Sequence, residues 1–559
     1  MVLIFNTVLM KFTVAQLNYH IANFDNNRNL ICKAIRKAKT EGSDLIIFSE
    51  LCVPGYPPLD LLDRLDFIEN CEQTVKEIAK ECTGIAAIVG SPTINKKPVG
   101  KKLFNSALLL SEGEIIFSAN KALLPTYDIF DEYRYFEPEK QFSVFQFKGI
   151  KLAITICEDL WDEQPFDNEF EKTRLYTVSP MEELARQNPD IIINIAASPF
   201  SYSKIEAKEN IFISKAVRYK IPVISVNQTG ANTELIFDGA SILVNEKGKI
   251  FRQLPFFEEA VETFTFENIK SGSLSGKVLR MDPVSLIHKA LVTGLRDYFS
   301  KSGLKRSILG LSGGIDSALC LCLAVDALGN ENVRALLMPS RYSSDHSVKD
   351  AVTLADSLRV KYDIINIEKP FCAFEEDLAA VFNGMNRDVT EENIQARIRA
   401  ILLMAVSNKF GCIVLNTSNK SEAAVGYGTL YGDMAGGLSV IGDVYKTDVY
   451  RLADFINRKN QIIPENIIRK QPSAELRPDQ YDTDSLPDYN LLDSILYQYI
   501  ELQKPASRII KEGADKDTVL KVIKMIDFNE YKRYQAPPVL RISSKAFGAG
   551  RRMPLVARY

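Results

Sequence analysis

The chain has 559 residues with a net charge of −3, 46% of them hydrophobic and 25% charged, so it is long enough for more than one domain, and its near-neutral charge gives no reason to expect a nucleic-acid or anionic-membrane partner. No apolar run approaches the roughly 20 residues that span a bilayer. Nine cysteines without a Cys-x-x-Cys pair fit the reduced thiols of a cytoplasmic protein better than disulfides or a zinc site.

The opening MVLIFNTVLMKF is apolar but lacks the basic start and small-residue cleavage site of a signal peptide. MKFTVAQLNYH reads as a first strand, which leaves residues 1–9 as an upstream extension. Short apolar runs follow: DLIIFSE, IAAIVGSP, NSALLL, KLAITIC, DIIINIAAS, IPVISVNQ and GASILVN. Helix-like stretches such as NRNLICKAIRKAKTEG and SPMEELARQ lie between several of them, and residues 107–119 have the character of a hairpin. This pattern ends in NIKSGSLSGKVLR, where Gly and Ser replace any apolar period. The linker is placed at 266–283, between domains 10–265 and 284–559.

Within the first half, one strand end poses a chemical problem. KLAITICEDLW ends on Cys157, followed at once by Glu158 and Asp159. Adjacent negative charge raises a thiol pKa, so a nucleophilic Cys157 needs a base and a compensating cation. Histidine is the usual base, but the chain holds only three: His288 and His346 fall in the second half, and His20 lies just after the first strand with no associated acid motif. A Cys-His-acid triad is therefore poorly supplied. Residue 2 is Val, which excludes an amidase that uses a cysteine at that position. Glu50, after DLIIF, and Lys121, in SANKALLP, stand at the ends of two other strands. Taken alone, a strand-end Cys is usually a small buried hydrophobe, and a lone Lys is usually solvated.

The second half alternates strands and helices. A helix over about 284–301 precedes the strand SILGL, a glycine turn and the helix DSALCLCLAVDALG. VRALLMP, SVKDAVTLADSL, DIINI, NIQARIRAILLMAVSNKF and CIVLNTS continue the alternation. This predicts a parallel, doubly wound sheet with its site at the strand C-termini. LGLSGGIDSA carries two glycines between strand and helix, so backbone N–H groups and the helix N-terminus can cradle phosphate. The pattern G-x-x-x-x-G-K-[ST] is absent, so this is not a Walker A loop.

SGGIDS resembles the PP-loop of ATP pyrophosphatases, which adenylate a substrate oxygen and release pyrophosphate. Residues 415–450, with NTSNKSE, TLYGD and VYKTDVY, resemble the synthetase domain of the glutamine-dependent NAD⁺ synthetases. So do residues 469–489 and 529–548, and the similarity runs from about residue 10 to 552. It implies that Gly310, Leu311, Ser312, Gly313, Gly314, Ile315, Asp316, Ser317, Thr417, Lys446 and Ser473 contact ATP. It further implies that Asn393, Arg397, Glu422 and Lys532 hold deamido-NAD⁺ and that Asp316 and Glu422 hold Mg²⁺. Glycines 426, 428, 432, 436 and 437 are expected to shape a loop over the site rather than bind ligand.

The first half resembles the nitrilase superfamily, whose Glu-Lys-Cys triad would here be Glu50, Lys121 and Cys157. Glu50 would take the thiol proton, and Lys121 would stabilise the oxyanion and offset the neighbouring acids. The resemblance assigns Tyr127, Ser198 and Lys204 to a glutamine pocket that Tyr56 lines, with Glu132 supporting the catalytic group. The implied architecture is α/β: an N-terminal nitrilase-like α-β-β-α sandwich and a C-terminal Rossmann-like PP-loop domain. The implied activity is amidation of deamido-NAD⁺ with ATP and ammonia from L-glutamine, in a homo-oligomer of at least two copies and up to an octamer, and the fusion of both halves in one chain predicts an enclosed ammonia path. A GMP-synthetase-like ligase and a non-catalytic nucleotide sensor are the rival readings. The missing Cys-His triad and NTSNKSE/TLYGD disfavour the first, and the intact candidate residues disfavour the second.

Overall fold

The computed structural model describes residues 10–163, 174–272 and 280–557. The chain divides into two compact units between Met281 and Asp282. Residues 1–9 and 273–279 of the expected extension and linker lie outside the described residues.

The first unit is built on two six-stranded sheets. One orders its strands 260–265, 11–16, 45–47, 86–94, 103–111, 114–120, and the other 250–253, 242–244, 223–227, 191–196, 150–156, 145–147. Central pairs in each are parallel, and the outer pairs are antiparallel. The strands 103–111 and 114–120 form the expected hairpin.

Period-two alternation explains the layering. Val14, Ile47, Ile88 and Leu109 of one sheet meet Leu152, Ile154, Ile193 and Val226 of the other in a single core. The opposite face of the first sheet packs Ile46, Ala87 and Leu108 against Ile31, Ile35 and Ile78 of the helices Phe24–Thr40 and Leu65–Glu81. The second sheet does the same with Ala153, Ile192 and Val223 against Leu184 and Ala216 of Pro180–Ala185 and Ile205–Tyr219. The layers are therefore α-β-β-α, and each fully buried Ile or Leu among them contributes about 1.5–3 kcal/mol. Part of the segment read as linker is ordered. Phe266–Ser271 is a helix whose start Thr265 caps, and Ile269 enters the inter-sheet core. Composition hides this because one capping box outweighs the Gly/Ser bias that begins only at Ser271.

The second unit carries a five-stranded sheet in the order 361–364, 333–337, 307–310, 413–416, 438–439, parallel throughout. The order reverses beside Ser307–Gly310, and such a switch point opens a crevice at the strand C-termini. The helix Ile315–Leu328 follows from the Ser-Gly-Gly turn with Gly314 as its N-cap residue.

Candidate functional site

Two sites arise, one in each unit. In the first unit, strands of both sheets end on ionisable side chains. Glu50 follows Leu45–Ile47 and Lys121 follows Glu114–Asn120, both from one sheet, whereas Cys157 follows Ile150–Ile156 of the other. Glu50 Oε1 accepts from Lys121 Nζ at 2.7 Å and from Asn105 Nδ2 at 2.8 Å, and its Oε2 accepts from the Ala197 N–H at 3.0 Å. Lys121 Nζ also donates to Glu132 Oε1 at 2.9 Å, which takes a further bond from Tyr56 OH at 3.1 Å. All four charged or phenolic groups are buried.

Electrostatics ties Cys157 to the same cluster. Burial, with Glu50 adding to it, pushes the Cys157 thiol well above the ordinary thiol range, while Lys121 pulls it back. The resting sulfur is thus a protonated thiol beside a carboxylate. Burial alone would pull the Lys121 ammonium down, but Glu132 and Glu50 outweigh it and hold it above the ordinary range. One ammonium cannot fully compensate two buried carboxylates, and burial lifts Glu132 to about 7 against the pull of Lys121.

The two acids next to the thiol are committed elsewhere. Glu158 Oε1 accepts from Tyr127 OH and Tyr176 OH, each at 2.8 Å. Burial raises its carboxyl, and those hydroxyls, Lys121 and Lys204 lower it. Asp159 spends its oxygens on the backbone N–H groups of Ala122, Leu123 and Ile156. Cys157 has φ +43°, left-handed for a residue with a Cβ, and opens the short 3₁₀ turn Cys157–Leu160. Such strain persists where the surroundings over-determine it.

A cavity of about 40 Å³ reaches Cys157, with Trp161, Asn194, Ser198, Lys208 and Asp238 among its walls. Of the residues expected in a glutamine pocket, Ser198 lines it. Tyr127 and Lys204 instead face Glu158, and the Tyr56 hydroxyl is occupied by Glu132. Gly90 was not legible as a site residue. A Cβ there would stand 2.2 Å from Leu51 N and 2.8 Å from the Glu50 carbonyl carbon, so only glycine lets the Glu50 turn cross this strand.

In the second unit a cleft of about 300 Å³ opens at the strand C-termini. Gly310, Leu311, Ser312, Gly314, Ile315, Asp316, Ser317, Thr417, Glu422, Lys446 and Ser473 all line it. Gly313 does not. It has φ +83°, and a Cβ would fall 2.3 Å from the Ser347 carbonyl oxygen, so it sets the turn that the others present. Ser317 Oγ donates to the Gly314 carbonyl at 3.0 Å, and the Gly314 N–H donates to Ser312 Oγ at 3.2 Å.

Lys446 lies between two carboxylates, with Nζ 2.5 Å from Asp316 Oδ2 and 3.3 Å from Glu422 Oε1. Burial lifts Glu422 to about 8 despite Lys446, with Asp316 adding to the lift. Asp493 braces this pair from behind. Its carboxylate accepts from Ser421 Oγ at 2.5 Å and from the Thr447 N–H at 2.9 Å, fixing the residues next to Glu422 and Lys446.

Asn393, Arg397 and Lys532 lie off the cleft walls. Asn393 Oδ1 accepts from Thr429 Oγ1 at 2.7 Å, and Arg397 Nε donates to the Leu430 carbonyl at 3.2 Å. Lys532 Nζ ties down the glycine-rich loop through the carbonyls of Gly426 and Gly428, both at 2.8 Å. Arg399, two residues from Arg397 on the same helix, lines the cleft instead and donates to the Met338 carbonyl. Burial pulls its guanidinium down to about 10.

The comparisons with known proteins agree with both halves of this geometry. Residues 11–268 match the carbon-nitrogen hydrolase family and residues 287–536 the NAD synthase family. A Glutamine-dependent NAD(+) synthetase of Synechocystis is 42% identical, with 99% of each chain covered. The chain belongs to the glutamine-dependent NAD(+) synthetase family. The Thermotoga maritima member is 40% identical over 98% of this chain and 99% of its own. A solved glutamine-dependent NAD+ synthetase from Acinetobacter baumannii, in complex with adenosine diphosphate, superposes with a TM-score of 0.77 at 38% identity over 98% of both chains. A member from Cytophaga hutchinsonii shares the fold at a TM-score of 0.82 and 21% identity. Among the described residues no helix is long and apolar enough to cross a membrane.

Proposed function

We propose that the protein makes NAD⁺ from deamido-NAD⁺, ATP and L-glutamine, using residues 10–265 as the amidase and 284–559 as the synthetase. One observation carries this reading: a buried Glu-Lys pair beside a thiol and a cleft built on a Ser-Gly-Gly loop occur in one chain of this family.

In the first unit Cys157 Sγ attacks the glutamine amide carbon. Because the resting sulfur is a thiol, its proton passes to Glu50 as the S–C bond forms, so no free thiolate accumulates. Lys121 stabilises charge on the amide oxygen. Glu50 returns the proton to the departing nitrogen, ammonia leaves, and a thioester remains. Water then attacks the thioester with Glu50 as base, releasing glutamate and restoring the thiol. The Glu158 carboxylate, with Lys204 facing it and Ser198 on the cavity wall, supplies polar groups for the glutamine head.

In the second unit the carboxylate of deamido-NAD⁺ attacks the α-phosphorus of ATP, pyrophosphate leaves, and ammonia displaces AMP from the acyl adenylate. Ser312, Gly314 and Ser317 receive phosphate, and Lys446 meets its charge. The donor set fits Mg²⁺. Asp316 and Glu422 are hard oxygen donors that line the same cleft. Mg²⁺ held by these two residues and by phosphate oxygens would neutralise charge on the departing pyrophosphate.

The protein works in the cytoplasm in this reading, consistent with nine free cysteines that are buried except Cys372. It pairs through its synthetase units. The exposed apolar residues Val381 on Glu368–Phe382, Met385 in the connection that follows, and Val389 and Ile401 on Val389–Phe410 suit contact with a second copy. Light scattering should give at least a dimer, with Ile401→Lys shifting it toward monomer. A monomeric wild type overturns that part. The activity itself is tested by pyrophosphate release with deamido-NAD⁺, ATP and either glutamine or ammonium. Release with both nitrogen sources is expected, and release with neither rejects the reading.

A further inference from the structure

We propose that Asp159 is a positioning residue of the amidase reaction, clamping the backbone after Lys121 to the backbone before Cys157. The proposal rests on the reading of Lys121 and Cys157 as the reacting pair. These two residues come from different sheets of the sandwich. Between the sheets lies a core of aliphatic side chains, whose packing is non-directional and fixes no atom to a few tenths of an ångström. Asp159 supplies the missing direction. Its Oδ1 accepts from the Ala122 N–H at 3.0 Å and the Leu123 N–H at 2.9 Å, and its Oδ2 accepts from the Ile156 N–H at 3.1 Å. Ala122 directly follows Lys121, and Ile156 directly precedes Cys157.

One buried carboxylate thus joins the two catalytic strand ends through three backbone bonds. It also returns to the residue before the left-handed Cys157 and so holds the elbow that presents the sulfur. A second strut, from Glu50 Oε2 to the Ala197 N–H at 3.0 Å, crosses the same gap. The thiol, the base and the cation are therefore held across the gap by directional bonds. Burial lifts Asp159 to about 7, and the three N–H groups and Lys121 pull it back. The carboxyl stands at a desolvation cost that an Asn or a Ser would not incur.

Asp159→Asn separates this role from mere packing. An amide has one acceptor oxygen, and against three N–H donors either orientation turns its own NH₂ toward one side of the clamp. A misplacement of about 1 Å costs on the order of a hundredfold in rate. The expected result is a kcat with glutamine reduced by about a hundredfold, with the glutamine KM within about threefold of wild type. Ammonium-dependent synthesis should be unchanged. Fluorescence of Trp161, the single tryptophan, reports folding of the first unit in the full chain. If Asp159→Asn fails to fold, Asp159→Glu keeps the charge and moves the oxygens by one methylene, and the same kcat loss is expected. Wild-type kcat in a folded variant, a KM rise without kcat loss, or unfolding of both variants overturns the proposal. Cys157→Ala distinguishes failure of this proposal from failure of its premise. If that variant still uses glutamine, the reacting pair itself is wrong.

Discussion

At the scale of single residues, the charge balance around one buried ammonium governs the first site. Lys121 is the cation between Glu50 and Glu132, and all three are buried. Removing one partner of a buried ion pair costs about 3–5 kcal/mol, because the remaining charge has no counter-ion. Lys121→Met should therefore lower the stability of the first unit by about that much, read from the denaturant midpoint of Trp161 fluorescence, as well as abolish glutamine use. An unchanged midpoint contradicts the charge assignment. In the second unit Glu422 is an acid whose folded pKa is lifted by burial to about 8, above the ordinary carboxyl value of 4.5. Between those values the folded state binds more protons than the unfolded one, so this group makes stability fall as pH rises through the window. Glu422→Gln removes that contribution. Unfolding of the variant by denaturant should show a smaller loss of stability from pH 5 to pH 8 than wild type, and an equal loss contradicts the account.

At the scale of elements, the turn after Leu45–Ile47 is aimed by what lies under it. Glu50 crosses Ala86–Ile94 over Gly90, where a Cβ would stand 2.2 Å from Leu51 N and 2.6 Å from the Ser49 carbonyl oxygen. Gly90→Ala should displace Glu50, cost about 1–3 kcal/mol by overpacking, and reduce glutamine-dependent but not ammonium-dependent synthesis. Equal kinetics with both nitrogen sources would show that the turn tolerates the methyl. The elements themselves were legible, because alternation and helical periodicity are local signals. The strand ends carrying Glu50, Lys121 and Cys157, and the Ser-Gly-Gly turn, followed from them. Gly90, Asn105, Asp159 and Asp493 were not legible. Each acts on a partner far away in the chain, such as Asn105 on Glu50 or Asp493 on Ser421, and no local pattern marks such a pairing. Composition assigns 266–271 to the linker because it registers the Gly/Ser bias but not the capping bond at Thr265. The resemblance points to Arg397, and only the helix's rotation decides that Arg399, two residues on, lines the cleft instead.

At the scale of the whole molecule, the protein joins two chemistries through one nitrogen atom. Neither unit needs the other's residues for its own bond-making step, so a lesion in the first should spare synthesis from free ammonia. Cys157→Ala with ¹⁵N-amide glutamine, and separately with ammonium, tests this most directly. No label in NAD⁺ from glutamine and a wild-type rate with ammonium are expected. Labelled NAD⁺ formed from glutamine by that variant would contradict it.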